Sequence, residues 1–154
     1  DKDHGIIFYK KPLDSNNWYI EFKVVMNCKS RGKSHLFIGL VDKTKYKTEN
    51  LISTFWKDSP SSFYWDVWSN KLIKTDENGL QVSSVSGYGC HCEDVETKIG
   101  MKYCPLSRNV SFVKDGINQG VAFKNIPEGM YPSLDIWFEV GMIELIQNAV
   151  YKEK

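Results

Sequence analysis

Few side chains in this sequence could carry a reaction. There are three histidines, His4, His35 and His91. A serine or cysteine nucleophile needs an adjacent base to activate it; the sequence context marks none of the three as that base, which leaves a Ser-His-Asp set assembled in space as the open alternative. His4 is near a chain end, His35 opens an apolar run, and His91 lies between two cysteines. No G-x-S-x-G occurs, so no serine has the strand–turn–helix setting of a nucleophile elbow. Neighbouring strand residues face opposite ways, which disfavours a Cys92–His91 pair. The four cysteines, Cys28, Cys90, Cys92 and Cys104, are too sparse for a disulfide scaffold. Cys90-His91-Cys92 lacks the second ligand pair of a structural zinc site. Free buried thiols in a reducing compartment are the favoured reading, with a disulfide or a metal site as alternatives.

Paired carboxylates run glycoside hydrolysis. Asp66, Glu93, Asp94, Asp135, Glu139 and Glu144 are the candidates. Asp66 follows Trp65, and Asp135 precedes Ile136-Trp137, so acids stand beside rings on which a sugar could stack. A carbohydrate-binding or carbohydrate-cleaving β-sandwich is therefore the competing function class. The acidic run Glu93-Asp94-Val95-Glu96 reads as a solvated loop rather than a calcium site. Asp76-Glu77-Asn78-Gly79 has the composition of a turn and not the spacing of an EF-hand. Phosphate-cradling glycine loops are absent.

The elements that must position any site are short strands. Chain length suits one domain spanning 1–154, and the start at Asp1 predicts a segment excised from a longer protein. Hydrophobic residues at 42% and charged residues at 25% describe an ordinary globular chain. No apolar run approaches the ~18 residues of a membrane span. Twenty basic against nineteen acidic side chains give +1, with only Arg31 and Arg108 as arginines. That balance disfavours a nucleic-acid surface.

The dominant hydrophobic period is two. Trp18, Ile20, Phe22 and Val24 share one strand face, which makes Trp18 a core residue. Leu36–Val41 carries no charge and predicts a strand buried on both faces. Phe63–Trp68 alternates, with Trp65 read as core and Leu72-Ile73 as its hairpin partner across Ser69-Asn70. Ile99, Met101 and Tyr103 form a further face. Val110–Val113 runs into Asp115-Gly116, a strong hairpin turn, with Gly120–Phe123 as the return strand. Met130–Ile136 and Val140–Ile146 complete the set. Residues 45–55 suit at most a short helix. The fold class is all-β, a sandwich of two antiparallel sheets.

Several blocks resemble the SPRY domain family. They are Asn17-Trp18-Tyr19-Ile20-Glu21, His35-Leu36-Phe37-Ile38-Gly39-Leu40, Ser62-Phe63-Tyr64-Trp65-Asp66 with Asn70-Lys71, Val110–Gly116, Gly120-Val121-Ala122-Phe123 and Met130-Tyr131-Pro132. They occur in family order over nearly the whole chain. The family fold is a bent sandwich of two antiparallel sheets. Cys104 stands where the family usually has Asp, Arg108 replaces a turn glycine, and the polar stretch 76–88 reads as a loop.

The resemblance implies a non-enzymatic module that binds a peptide or protein segment through loops at one end, as in substrate recruitment for a ubiquitin ligase or scaffold. It implies no cofactor, metal, nucleic acid or membrane partner, a monomer in isolation, and an intracellular, cytoplasmic or nuclear, setting. By similarity to members of the suppressor-of-cytokine-signalling-box type, Ile136-Trp137 falls at a hydrophobic-Trp contact pair. Phe138 replaces a small residue there, Ser34 lies near a contacting Thr, and Leu51 near a contacting Tyr. From residue type alone, Trp137-Phe138 is the first anchor candidate and Phe55-Trp56 the second, since desolvated aromatics dominate binding energy.

Overall fold

The computed structural model describes residues 4–26, 35–45, 61–67, 69–89, 96–137, 140–146 and 149–152. The strands are β1 (His4–Phe8), β2 (Tyr19–Met26), β3 (His35–Val41), β4 (Ser62–Asp66), β5 (Lys71–Thr75) and β6 (Gln81–Ser86), followed by β7 (Glu96–Cys104), β8 (Asn109–Lys114), β9 (Ile117–Phe123), β10 (Tyr131–Trp137) and β11 (Val140–Leu145). They form a six-stranded sheet, β1-β10-β3-β4-β5-β6, and a five-stranded sheet, β11-β2-β7-β8-β9. Every neighbouring pair is antiparallel. Helical structure among the described residues is one 3-10 turn at Lys43–Lys45. The architecture is all-β and two-layered, as the period-two pattern predicts.

The alternation packs the interior. Leu36, Ile38 and Leu40 of β3 join Ile20, Phe22 and Val24 of β2 and Ile99, Met101 and Tyr103 of β7 in one buried cluster. Trp65 is completely buried at its centre and packs on Phe112, with ring centroids 5.3 Å apart. Large rings placed between two sheets fill the roughly 10 Å gap that sandwich packing leaves.

The six-stranded sheet also buries part of its outer face. Val41, Tyr64 and Ile73 are buried there, with Phe8, Phe37 and Tyr131 packed against them. Phe37 meets Tyr64 edge-on at 5.4 Å. This second layer is why Leu36–Val41 reads as a run without charge, buried on both faces. It also requires Gly39. A Cβ there would overlap the Phe63 carbonyl oxygen and lie 2.6 Å from Tyr64 Cα.

Two expectations are corrected and one strand is added. Residues 81–86 form β6 rather than loop; all six are exposed, so no buried face marks the strand in the sequence. His4–Phe8 forms β1, paired with β10. Trp18 is 39% exposed and not core, because β2 begins at Tyr19 and the inward face starts at Ile20.

Turn chemistry closes the hairpins. Asp115 and Gly116 have φ of 49° and 81°, the pair of positive values that a type I′ turn needs. The Asp115 carboxylate also accepts from Lys98 N at 2.8 Å and Thr97 Oγ1 at 3.0 Å, tying the turn to β7. Arg108, where the resemblance expects glycine, holds φ at 57°.

Candidate functional site

The end of the sandwich to which the first anchor candidates belong is built by register. Trp137 pairs with His35 and with His4, and Ile136 with Leu36 and Gly5. Next along the sheet, Phe37 pairs with Asp66, Asp66 with Lys71, and Lys71 with Ser86. In the other sheet Met26 pairs with Val140 and Val25 with Glu96. Strand ends from both sheets thus meet here, and the connections 27–34, 67–70, 87–95 and 138–139 leave from this end.

Described parts of this rim are firmly held. Asp66 is 7% exposed; its Oδ2 accepts from Ser69 Oγ at 2.6 Å and its Oδ1 from Ser69 N at 3.3 Å. Val67 N donates to Leu36 O at 3.0 Å, and Tyr88 N to Asn70 O at 2.9 Å. The Tyr88 hydroxyl reaches across the core, donating to Gly120 O at 2.6 Å and accepting from Phe112 N at 3.1 Å. Burial pushes the Tyr88 phenol up to about 12, against a smaller downward pull from the Phe112 N–H. The hydroxyl therefore stays protonated at neutral pH and keeps both bonds.

Of the residues singled out in the sequence, Ile136 and Trp137 have described backbones at this end. Ser34 directly precedes His35 and Phe138 directly follows Trp137; both lie outside the described residues. Leu51, Phe55 and Trp56 also lie outside them. Their connection leaves β3 at Val41 and enters β4 at Ser62, two paired residues at the opposite end of the sheet. Tyr131, the partner of Val41, lies six residues along β10 from Trp137, roughly 20 Å. Cys28, Cys90, His91 and Cys92 are likewise outside the description.

The carboxylate readings narrow. Asp66 is the last residue of β4, and its carboxylate is engaged by Ser69. Trp65, its proposed sugar platform, is completely buried and offers no face to a ligand. Among the described residues no three His, Cys, Asp or Glu side chains group as metal ligands would. No helix among them is long and apolar enough to cross a membrane. Cys104 is a free thiol, lowered chiefly by hydrogen bonds from Ser107, first its side chain and then its backbone N–H.

A feature outside the sequence reading is a groove at the opposite end, between residues 9–20 and 145–151. The sequence signal for it is Trp18-Tyr19, which the period-two pattern assigns to the interior and to a strand. Its other wall, around Tyr151, is distant along the chain and has no link to Trp18 before folding.

No family model matches the sequence, and no curated protein does. Solved structures do. A human SPRY domain superposes with a TM-score of 0.72 at 21% identity, covering 97% of this chain and 88% of that one. The SPRY domain of human HERC1 gives 0.57 at 12%, covering 96% and 85%. A toad ovary galectin in complex with thio-digalactose gives 0.58 at 8%, covering 95% and 100%. The sandwich is thus one on which both SPRY domains and a sugar-binding lectin are built. With its block order, sheet topology and these superpositions, the chain has a SPRY-like fold.

Proposed function

We propose that this chain is a non-enzymatic interaction module, a single SPRY-like domain over 1–154, that binds a peptide or protein segment. The binding surface in this reading is the end where Trp137 pairs with His35. Ile136, Trp137 and Phe138 supply the apolar anchor and Ser34 a polar contact beside it, whereas Leu51, Phe55 and Trp56 belong to the connection joined to the sheet at its opposite end and form no part of the surface proposed. One observation carries the reading: the β10–β3 register sets Trp137 at the rim where strand ends of both sheets meet, on a SPRY-like scaffold. A rigid sandwich with connections gathered at one end is suited to recognition, because the scaffold carries the ordering cost in advance. Recruitment of a target to a ubiquitin ligase or scaffold inside the cell fits this arrangement, with the isolated domain monomeric.

The test is affinity capture followed by peptide scanning of the captured protein, with wild type and Trp137→Ala side by side. Loss of a Trp anchor costs about 2 kcal/mol, roughly a 30-fold weaker complex. Equal recovery by both forms refutes the site.

The galectin likeness favours a second reading, in which the sandwich binds a carbohydrate. A glycan array separates the two: saturable binding to defined sugars, unaffected by Trp137→Ala and without any peptide ligand, supports the lectin reading instead.

A further inference from the structure

At the end opposite Trp137, the groove between residues 9–20 and 145–151 encloses about 350 Å³. Tyr9, Lys10, Lys11, Trp18, Tyr19 and Tyr151 are among its walls. The walls are fixed by backbone bonds. Asp14 Oδ1 accepts from Asn16 N and Asn17 N, each at 2.8 Å. Trp18 O accepts from Tyr103 N at 2.7 Å, and Ile146 N donates to Glu21 O at 2.9 Å.

The groove is aromatic. Trp18 lies 6.1 Å from Tyr19 and 6.5 Å from Tyr151, edge-on to the latter, and Tyr19 lies 5.5 Å from Tyr151. Trp18 keeps 39% of its surface open and lines the groove. The Tyr151 ring lines the groove while its hydroxyl is buried.

The groove is also one-sided in charge. Across the sequence acids and bases balance, 19 against 20. Among the described wall residues, Lys10 and Lys11 are cationic and none is acidic. Both lysines are exposed. A third cation, Lys102 Nζ, sits 4.4 Å from the centre of the Tyr151 ring. Two nearby acids are already engaged. The Asp14 carboxylate caps its own turn, and Glu21 Oε2 accepts from the Tyr19 hydroxyl at 2.5 Å.

We propose that this groove is a second, independent recognition site, taking an acidic segment of a partner protein with an aromatic side chain seated against Trp18 and Tyr151. The segment's carboxylates face Lys10, Lys11 and Lys102. The volume accommodates one ring and its flanking backbone, and the lysines supply sign selectivity.

Selection of a random peptide library displayed on phage, against the immobilised protein, tests this. Enriched peptides are then synthesised with a fluorescent label and measured by fluorescence polarisation. Expected are sequences rich in Asp and Glu around a Phe, Tyr or Trp. Their affinity should drop about tenfold or more in the double variant Lys10→Glu/Lys11→Glu, fall with added salt, and stay unchanged in Trp137→Ala. The two lysines are exposed, so the double variant keeps its fold, checked by an unchanged melting temperature. Trp18→Phe provides a milder aromatic probe. The proposal is overturned if no acidic enrichment emerges, if the enriched peptides bind the double variant as well as wild type, or if a heparin oligosaccharide binds as tightly as the peptides. Loss of those peptides in Trp137→Ala alone would also overturn it, while leaving the reading of the Trp137 end standing.

Discussion

Replacing Tyr88 by phenylalanine removes one oxygen from the middle of the sandwich, and the structure sets what that should cost. The hydroxyl donates to Gly120 O and accepts from Phe112 N, on a ring 8% exposed. Gly120 is exposed, so its carbonyl regains water. Phe112 is completely buried, so its N–H is left without a partner. An orphaned buried donor costs ~1–3 kcal/mol, so Tyr88→Phe should lose about 2 kcal/mol at pH 8. A second, pH-dependent signature follows. The phenol titrates at its ordinary value of 10.0 when unfolded and at about 12 when folded. Between these values the unfolded chain has released the proton that the native one retains, so stability falls as pH rises. The shift is worth about 3 kcal/mol, present in full below pH 10 and lost through pH 12. The variant has no phenol to titrate at this position, so its deficit should shrink toward zero across that window. Urea unfolding of both proteins at pH 8, 10, 11 and 12, in reducing agent, measures it. A deficit that stays constant from pH 8 to 12, or no deficit at pH 8, would refute the reasoning. Tyr19 and Tyr103 are also raised, first by burial, but they are common to both proteins and cancel in the difference.

Other positions give independent checks. Gly39→Ala drives a methyl into the Phe63 carbonyl and Tyr64 Cα; it should destabilise by about 3 kcal/mol, read as a lower urea midpoint at unchanged slope. Arg108→Gly relieves a left-handed backbone at φ 57° on an exposed residue; a gain of about 1 kcal/mol and a Tm rise of roughly 3 °C are expected by calorimetry, and no rise would show that the turn is unstrained. Asp115→Ala removes the acceptor of Lys98 N and Thr97 Oγ1 and places Ala at φ 49°; about 2 kcal/mol should be lost, with faster amide exchange in β8 and β9.

Much of this architecture is legible before folding because burial imposes a period on a strand. Ile20, Phe22 and Val24, then Ile99, Met101 and Tyr103, alternate because one side of each strand meets the opposite sheet. Trp65 reads as interior from the same rhythm, and it is. Asp115-Gly116 announces its hairpin because few other residue pairs tolerate two positive φ values. The pattern misleads where burial leaves no mark or stops early. β6 has both faces in solvent and so carries no alternation. Trp18 continues the inward rhythm by one residue but stands outside the strand that enforces it.

Short antiparallel strands in two layers, and the interior faces of most of them, can be read from local spacing alone. Folding decides which residues meet. It pairs Trp137 with His35 across β10 and β3, lays Tyr64 over Gly39, and brings Tyr151 to Trp18 with lysines alongside. Those meetings join residues far apart in the chain through strand order and register, and strand order is not encoded in any one segment's periodicity.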